Sequence, residues 1–204
     1  MGGLLEMISK NDSNSFVLIH DCSHLHPEDE EDAVLDNPIE IFENVSFFNT
    51  ERINLPEIPV FSGRIEHLIH TDFPICVPLW PIMSKKLIGT LIDIEYFPHK
   101  IFPIIIADYF TDQINEDYVV VQLLSMFDGV DKEKSIFETS DELDWYITKI
   151  EKLSLNQSKQ GFYPLFRLYQ HPINLMISSK AKKILIQNEI KGVNYLPVRD
   201  YTYP

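Results

Sequence analysis

The stretch DYVVVQLLSMF, residues 117–127, constrains the fold more than any other. It is β-branched and nearly continuously apolar, so it reads as a strand at the centre of a sheet rather than at an edge. A chain built around such a strand needs other strands beside it and layers over it. SFVLI (15–19), IEYFP (94–98), IFPIII (101–106) and FYPLFRLY (162–169) supply strand candidates, and Ile39, Ile41, Val45 and Phe47 alternate as a strand would. Pro27 to Pro38 reads as an acidic loop, and Leu79 to Met83 as a buried approach to a helix.

Two or three helices are expected. Ser84 caps KKLIGTLID; Ser179 opens SKAKKILIQNEI, with Gly192 placed to close it. SDELDWYITKIEKL reads as a third, capped by Ser140, with Leu143, Ile147 and Ile150 on one face. The expected class is therefore α+β: a mixed or antiparallel sheet with two or three helices packed on it. The 204 residues form either one domain, 1–204, or two lobes, an acidic one over 1–75 and a second over 76–204.

Charge narrows the function classes. The formal net charge is −14, which argues against direct nucleic-acid binding and favours a basic partner. The charge is also polarised. Residues 1–51 carry twelve acids and one Lys, whereas residues 149–204 carry nine Lys or Arg against three acids. Cys22 and Cys76 are the two cysteines, too few for a disulfide framework. The opening MGGLLEMISK has no basic n-region or long apolar h-region, and Glu6 stands where a myristoylation signal takes Ser or Thr. No apolar run reaches the roughly 20 residues of a membrane span. A cytoplasmic protein without membrane contact is expected.

HDCSHLHPEDEED, residues 20–32, raises the question of a metal. His20, Cys22, His24 and His26 fall on one face of a continuing strand. At about 3.3 Å per residue the outer two lie roughly 20 Å apart, while a zinc ligand sits about 2 Å from its ion. One straight strand cannot offer all four to one metal. A pair could bind with help from His67 and His70, so a small metal-dependent enzyme remains an alternative. Other catalytic signatures are missing: there is no GxSxG elbow or Gly-rich phosphate loop, and Cys22 and His24 are too close in sequence to act across a substrate. No cofactor is expected.

Two segments echo each other. PIMSKKLIGTLIDIEYFP and LMISSKAKKILIQNEIKGVNYLP each run from an apolar entry through a Ser cap and a Lys-rich helix start to an aromatic stretch ending in Pro.

Three stretches carry a family resemblance: TDFPICVPLWPIMSKKLIGTL; YVVVQLLSMFDGVDKEKSIF with its D-x-x-K-S turn at Asp131, Lys134 and Ser135; and LFRLYQHPINLMISSKAKKILIQNEIKGVNYLPV with its G-V-x-Y-x-P ending. Their order resembles a family of bacterial immunity proteins from polymorphic toxin systems, over roughly residues 70–200. The resemblance implies neutralisation of a cognate toxin domain by binding, without catalysis. Its motif residues read as structural: Ser84 and Ser179 as caps, Gly192 as a left-handed position, Tyr195 and Pro197 as the end of a strand, and Asp131, Lys134 and Ser135 as a turn network.

With a toxin implied by the resemblance, the local charge density makes the acidic first quarter the candidate toxin-binding surface: Asp21, Glu28, Asp29, Glu30, Glu31, Asp32 and Asp36, facing a basic toxin such as a nuclease. A general interaction module unrelated to toxins is the third reading. A tightly retained metal would favour the enzyme, and a toxin-like reading frame immediately upstream would favour the immunity role.

Overall fold

A computed structural model describes residues 15–21, 23, 34–36, 50–77, 80–156 and 163–204. In chain order these form β1 (Ser15–His20), β2 (Leu35–Asp36), β3 (Val60–Gly63), α1 (Ile65–Leu68), β4 (Cys76–Val77), β5 (Ile82–Ser84), α2 (Lys85–Ile94), β6 (His99–Pro103), β7 (Ile105–Asp108), β8 (Ile114–Asn115) and β9 (Tyr118–Leu123). Then come β10 (Ile136–Thr139), β11 (Ile147–Lys152), β12 (Leu165–Phe166), β13 (Met176–Ser178), α3 (Ser179–Gln187) and β14 (Val193–Pro197). The class is α+β, with antiparallel and mixed sheets. Among the described residues no helix is long and apolar enough to cross a membrane.

The chain divides into two compact units, neither of them a single run of sequence. One is Met1–Leu18, Met126–Lys182 and Tyr195–Pro204; the other is Ile19–Ser125 and Lys183–Asn194.

In the second unit β9 lies between β5 and β6, antiparallel to both, with Met83 opposite Val119 and Phe102 opposite Val120. All six β9 residues are buried, as the unbroken apolar run requires. A five-stranded mixed sheet, β4-β2-β3-β7-β8, adds to the core, as do Leu87, Ile88 and Leu91 of α2. Phe61 meets Trp80 edge-on with ring centroids 5.7 Å apart, among Ile82, Ile104, Ile106 and Val120. Each such side chain contributes about 1.5–3 kcal/mol by leaving water.

In the first unit β13 pairs antiparallel with both β1 and β12, and β10 pairs with β11. Val17, Ile147, Ile150, Leu168, Met176, Val198 and Tyr201 form its core. Arg167 is buried there, its guanidinium donating to the carbonyls of Pro172 and Ile173; burial pulls its pKa down to about 10. His171 is fully buried. Its Nδ1–H donates to the Ile147 carbonyl at 3.3 Å, and its Nε2 accepts from the Tyr201 hydroxyl at 3.0 Å.

The echoing segments take matching places. The β5–α2–β6 unit flanks β9, and the β13–α3–β14 unit flanks β1. Each is a strand–helix–strand crossover with another strand inserted between its two strands. The cap bonds match as well: Leu87 N–H donates to Ser84 Oγ at 3.0 Å, and Ala181 N–H to Ser178 Oγ at 3.1 Å.

Four readings of local structure change. Residues 140–153 are not a helix but a turn followed by β11. The spacing of Ile147 and Ile150 looks helical, but a bulge produces it: Glu138 faces Lys149 while Thr139 faces Ile147, so Thr148 is an extra residue. Both isoleucines then point into the core. Ser178, not Ser179, caps α3. Glu189, not Gly192, closes that helix: it has φ 53, its N–H reaches Ile186 O, and Ile190 N–H reaches Leu185 O, a Schellman closure. IEYFP is no strand; α2 runs to Ile94 and β6 starts at His99. The alternating positions Ile39, Ile41, Val45 and Phe47 lie outside the described residues.

Gly192 does adopt the expected left-handed backbone, φ 67, and a Cβ there would lie 2.0 Å from Thr71 Oγ1. β14 ends at Pro197. Asp131, Lys134 and Ser135 do form a turn: Lys134 Nζ lies 3.0 Å from Asp131 Oδ2, and Ser135 N–H donates to Asp131 O at 2.9 Å. The Lys134 ammonium, bonded to Asp131, holds that carboxyl below its usual range.

Candidate interaction surface

An exposed aromatic surface of the second unit is built at the β7–β8 hairpin. Ala107 faces Ile114 across it, and Asp108 starts the turn. The Asp108 carboxylate accepts four hydrogen bonds. Oδ2 takes Ile65 N–H, the first residue of α1, at 2.8 Å. Oδ1 takes Phe110 N–H, Thr111 N–H and the Thr111 hydroxyl, each at 3.0 Å. The Ile65 and Phe110 amides, first among these donors, hold the carboxyl below its ordinary pKa.

This knot of bonds fixes the turn while Phe110 and Ile114 face solvent. Phe110 is 74% exposed and Ile114 62%. Tyr109 and Phe110 meet edge-on at 6.2 Å. The Tyr109 hydroxyl donates to the Asp36 carboxylate, so a sequence separation of 73 residues closes into one contact. The Arg64 guanidinium lies 5.6 Å from the centre of the Phe110 ring and pairs with Glu66. Exposed aromatics beside Arg and carboxylates, on a turn already held in shape, are the residue types that anchor protein interfaces at low ordering cost.

Asp36 is therefore one of the predicted acids that the structure brings to this surface. Asp21 follows β1. Its N–H donates to Gly192 O at 3.0 Å and its carboxylate accepts Ser23 N–H at 3.0 Å. Glu28, Asp29, Glu30, Glu31 and Asp32 lie outside the described residues, as do Cys22, His24 and His26. Tyr109, Phe110, Ile114 and Arg64 were missed in the sequence, where IFPIIIADYF reads as a short apolar run broken by Pro103 and Asp108. The signal that could have found them is the A-D-Y-F-T-D pattern: an Asp opening a turn with Thr three residues later, which exposes what lies between.

The histidines are occupied otherwise. His20 stacks on Phe73 at 4.1 Å, and its Nδ1–H donates to the Phe73 carbonyl at 2.7 Å. Burial pushes its pKa down. His67 Nε2 stands 3.8 Å from Glu66 Oε1, and His70 is exposed on the turn after α1. Among the described residues no group of three or more His, Cys, Asp or Glu is placed to hold a metal ion.

A shallow cavity of about 400 Å³ opens at the start of α2, lined by Asp72, Ser84, Lys85, Lys86, Asp117 and Tyr118 among others. Its charged groups are of both signs, and Asp72 is engaged by Ser84 and Lys191. It lies where the Asp72 hydrogen bonds join the start of α2 to Lys191.

The model of the Immunity protein family (Imm11) matches residues 19–200. No curated protein matches the chain.

Proposed function

The chain belongs to the Imm11 immunity protein family, and from that membership we propose that it binds a cognate toxin domain directly and neutralises it. Family membership carries the reading, and two features of the chain support it. The net charge of −14 suits a basic toxin, such as a nuclease whose cleft is built for phosphate. The Tyr109–Asp36 contact joins an aromatic anchor to the strand that follows the acidic segment 28–32. In this reading the carboxylates of Asp21, Glu28, Asp29, Glu30, Glu31, Asp32 and Asp36 rim the toxin's cationic cleft and speed encounter, while Tyr109 and Phe110 supply buried contact. The protein acts stoichiometrically in the cytoplasm and turns nothing over.

The test begins with a tagged chain recovered from its native host in high salt. One stoichiometric partner should remain, and that partner alone should arrest growth of a heterologous host until this chain is co-expressed. A partner that is harmless, or whose toxicity the chain leaves untouched, overturns the reading. The acidic rim is tested separately on the purified pair. Replacing Glu30, Glu31 and Asp32 by Lys should slow association at least tenfold at low salt, an effect that fades as salt rises. An unchanged association rate removes the segment from the interface.

A further inference from the structure

The other unit carries an aromatic surface that the neutralisation reading does not use. It sits on the turn SDELDWY, residues 140–146, between β10 and β11. Ser140 N–H donates to Tyr146 O and Tyr146 N–H to Leu143 O, both at 2.8 Å. The Trp145 indole stacks on the Tyr169 ring with centroids 4.7 Å apart and planes 28° from parallel, and Tyr146 meets it edge-on at 5.9 Å. Tyr169 is fixed in turn. Its N–H donates to Phe127 O at 3.0 Å, and the carbonyl of the next residue, Gln170, accepts Ile147 N–H at 2.8 Å.

The backbone carrying both rings is thus tied by hydrogen bonds, yet the stack stands open. Trp145 is 40% exposed, Tyr169 44% and Leu143 46%. Asp141, Glu142 and Asp144 lie in the same turn, all exposed, and among the described residues none of the three forms an ion pair.

This combination selects its occupant. An apolar partner covering Trp145 and Leu143 would desolvate three carboxylates without pairing them, which is costly. An acidic partner would be repelled. A Lys or Arg side chain satisfies both halves: its methylenes cover the rings, its charge lies on the indole face, and the carboxylates neutralise it. We infer that the Trp145–Tyr169 stack, with Asp144 beside it, is a docking point for a Lys or Arg side chain on a basic segment of a protein partner. The inference stands on this unit alone and does not depend on the toxin reading.

The test uses the full chain and needs no knowledge of the partner. Trp80 is buried and Trp145 exposed, so changes in indole emission on adding a peptide report Trp145. Titration with N-acetyl tetra-arginine amide should shift the emission saturably. Tetraglutamate and tetranorleucine should leave it unchanged. By calorimetry, Trp145→Leu and Asp144→Asn should each weaken tetra-arginine binding about twofold to fivefold, the size of an exposed cation–π contact. Glu133→Gln, a change at an exposed acid outside the turn, should have no effect. Asp144 is at the surface, so its variant keeps the test decisive if Trp145→Leu does not fold. Absence of a saturable emission change overturns the inference. So do an equal response to tetranorleucine and an affinity that Asp144→Asn leaves at the wild-type value.

Discussion

Asp72 and Lys191, 119 residues apart in sequence, hold each other through two hydrogen bonds. Lys191 N–H donates to the Asp72 carboxylate at 2.8 Å, and Asp72 N–H donates to Lys191 O at 2.9 Å. The other carboxylate oxygen accepts from the Ser84 hydroxyl, which itself caps α2 by accepting Leu87 N–H. One carboxylate therefore ties the start of α2 to the segment after α3. Asp72→Ala should cost about 3 kcal/mol, because it strips a charged acceptor from two donors at once. Urea unfolding with an unchanged m-value would measure it. Ser84→Ala should cost about 1 kcal/mol, the size of a lost cap.

The end of α3 offers the opposite sign. Glu189 holds a left-handed backbone, φ 53, at the position where a Schellman closure favours glycine. Its N–H and that of Ile190 make the closing bonds through backbone atoms, so the side chain is dispensable to them. Its carbonyl, which accepts from Lys86 Nζ at 3.0 Å, is also kept on substitution. Glu189→Gly should stabilise the fold by about 1 kcal/mol, read as a higher urea midpoint. Gly192→Ala should destabilise it, since the new methyl would run into the Thr71 side chain and backbone. Glu189→Gly reports backbone strain alone, whereas Gly192→Ala adds steric contact to that same strain.

These two positions also show what a sequence can and cannot reveal. The continuous run at Tyr118–Leu123 and the Ser84 cap are local signals, and both elements formed where the pattern placed them. Gly192 advertised its left-handed φ because only glycine takes it cheaply, but Glu189 hid the same conformation behind a side chain. The bulge at Thr148 gave β11 a helical spacing, because one extra residue turns a period of two into an apparent three. At the candidate surface Asp36 was legible as part of an acidic cluster, whereas its partner Tyr109 was not, since pairing across 73 residues leaves no trace in either neighbourhood.

One buried and one half-buried histidine predict a pH response. Desolvation lowers the pKa of both His20 and His171 in the folded chain, outweighing their bonds to the carbonyls of Phe73 and Ile147. The folded state therefore favours the neutral rings. Stability from these groups is complete above the ordinary histidine pKa of 6.5 and is lost as pH falls below it toward the folded values. At His171 burial is the cause, and the Nε2 that would take the proton faces the Tyr201 hydroxyl rather than water. Each histidine can contribute up to about 1.4 kcal/mol per pH unit in that window. Urea midpoints between pH 7.5 and 5.5 should fall with acid, and His171→Gln should flatten the slope relative to wild type. A slope unchanged by that substitution would place the titrating group elsewhere.

Phe110 separates folding from recognition. Its ring is 74% exposed and rests against the Arg64 guanidinium, while the turn beneath it is held by bonds from Asp108 to backbone and Thr111. Phe110→Ala removes none of those bonds, so the thermal midpoint should move by less than the equivalent of about 0.5 kcal/mol. If Tyr109 and Phe110 are buried by the toxin, the same substitution should weaken the complex by about 2 kcal/mol, expressed mainly as faster dissociation. Asp108→Ala should act differently. It loosens the turn, so both the unfolding midpoint and the affinity should fall. Surface plasmon resonance on the three proteins, set beside their melting curves, distinguishes the roles. An unaltered dissociation rate in Phe110→Ala would take the hairpin out of the interface and leave the acidic rim to carry binding alone.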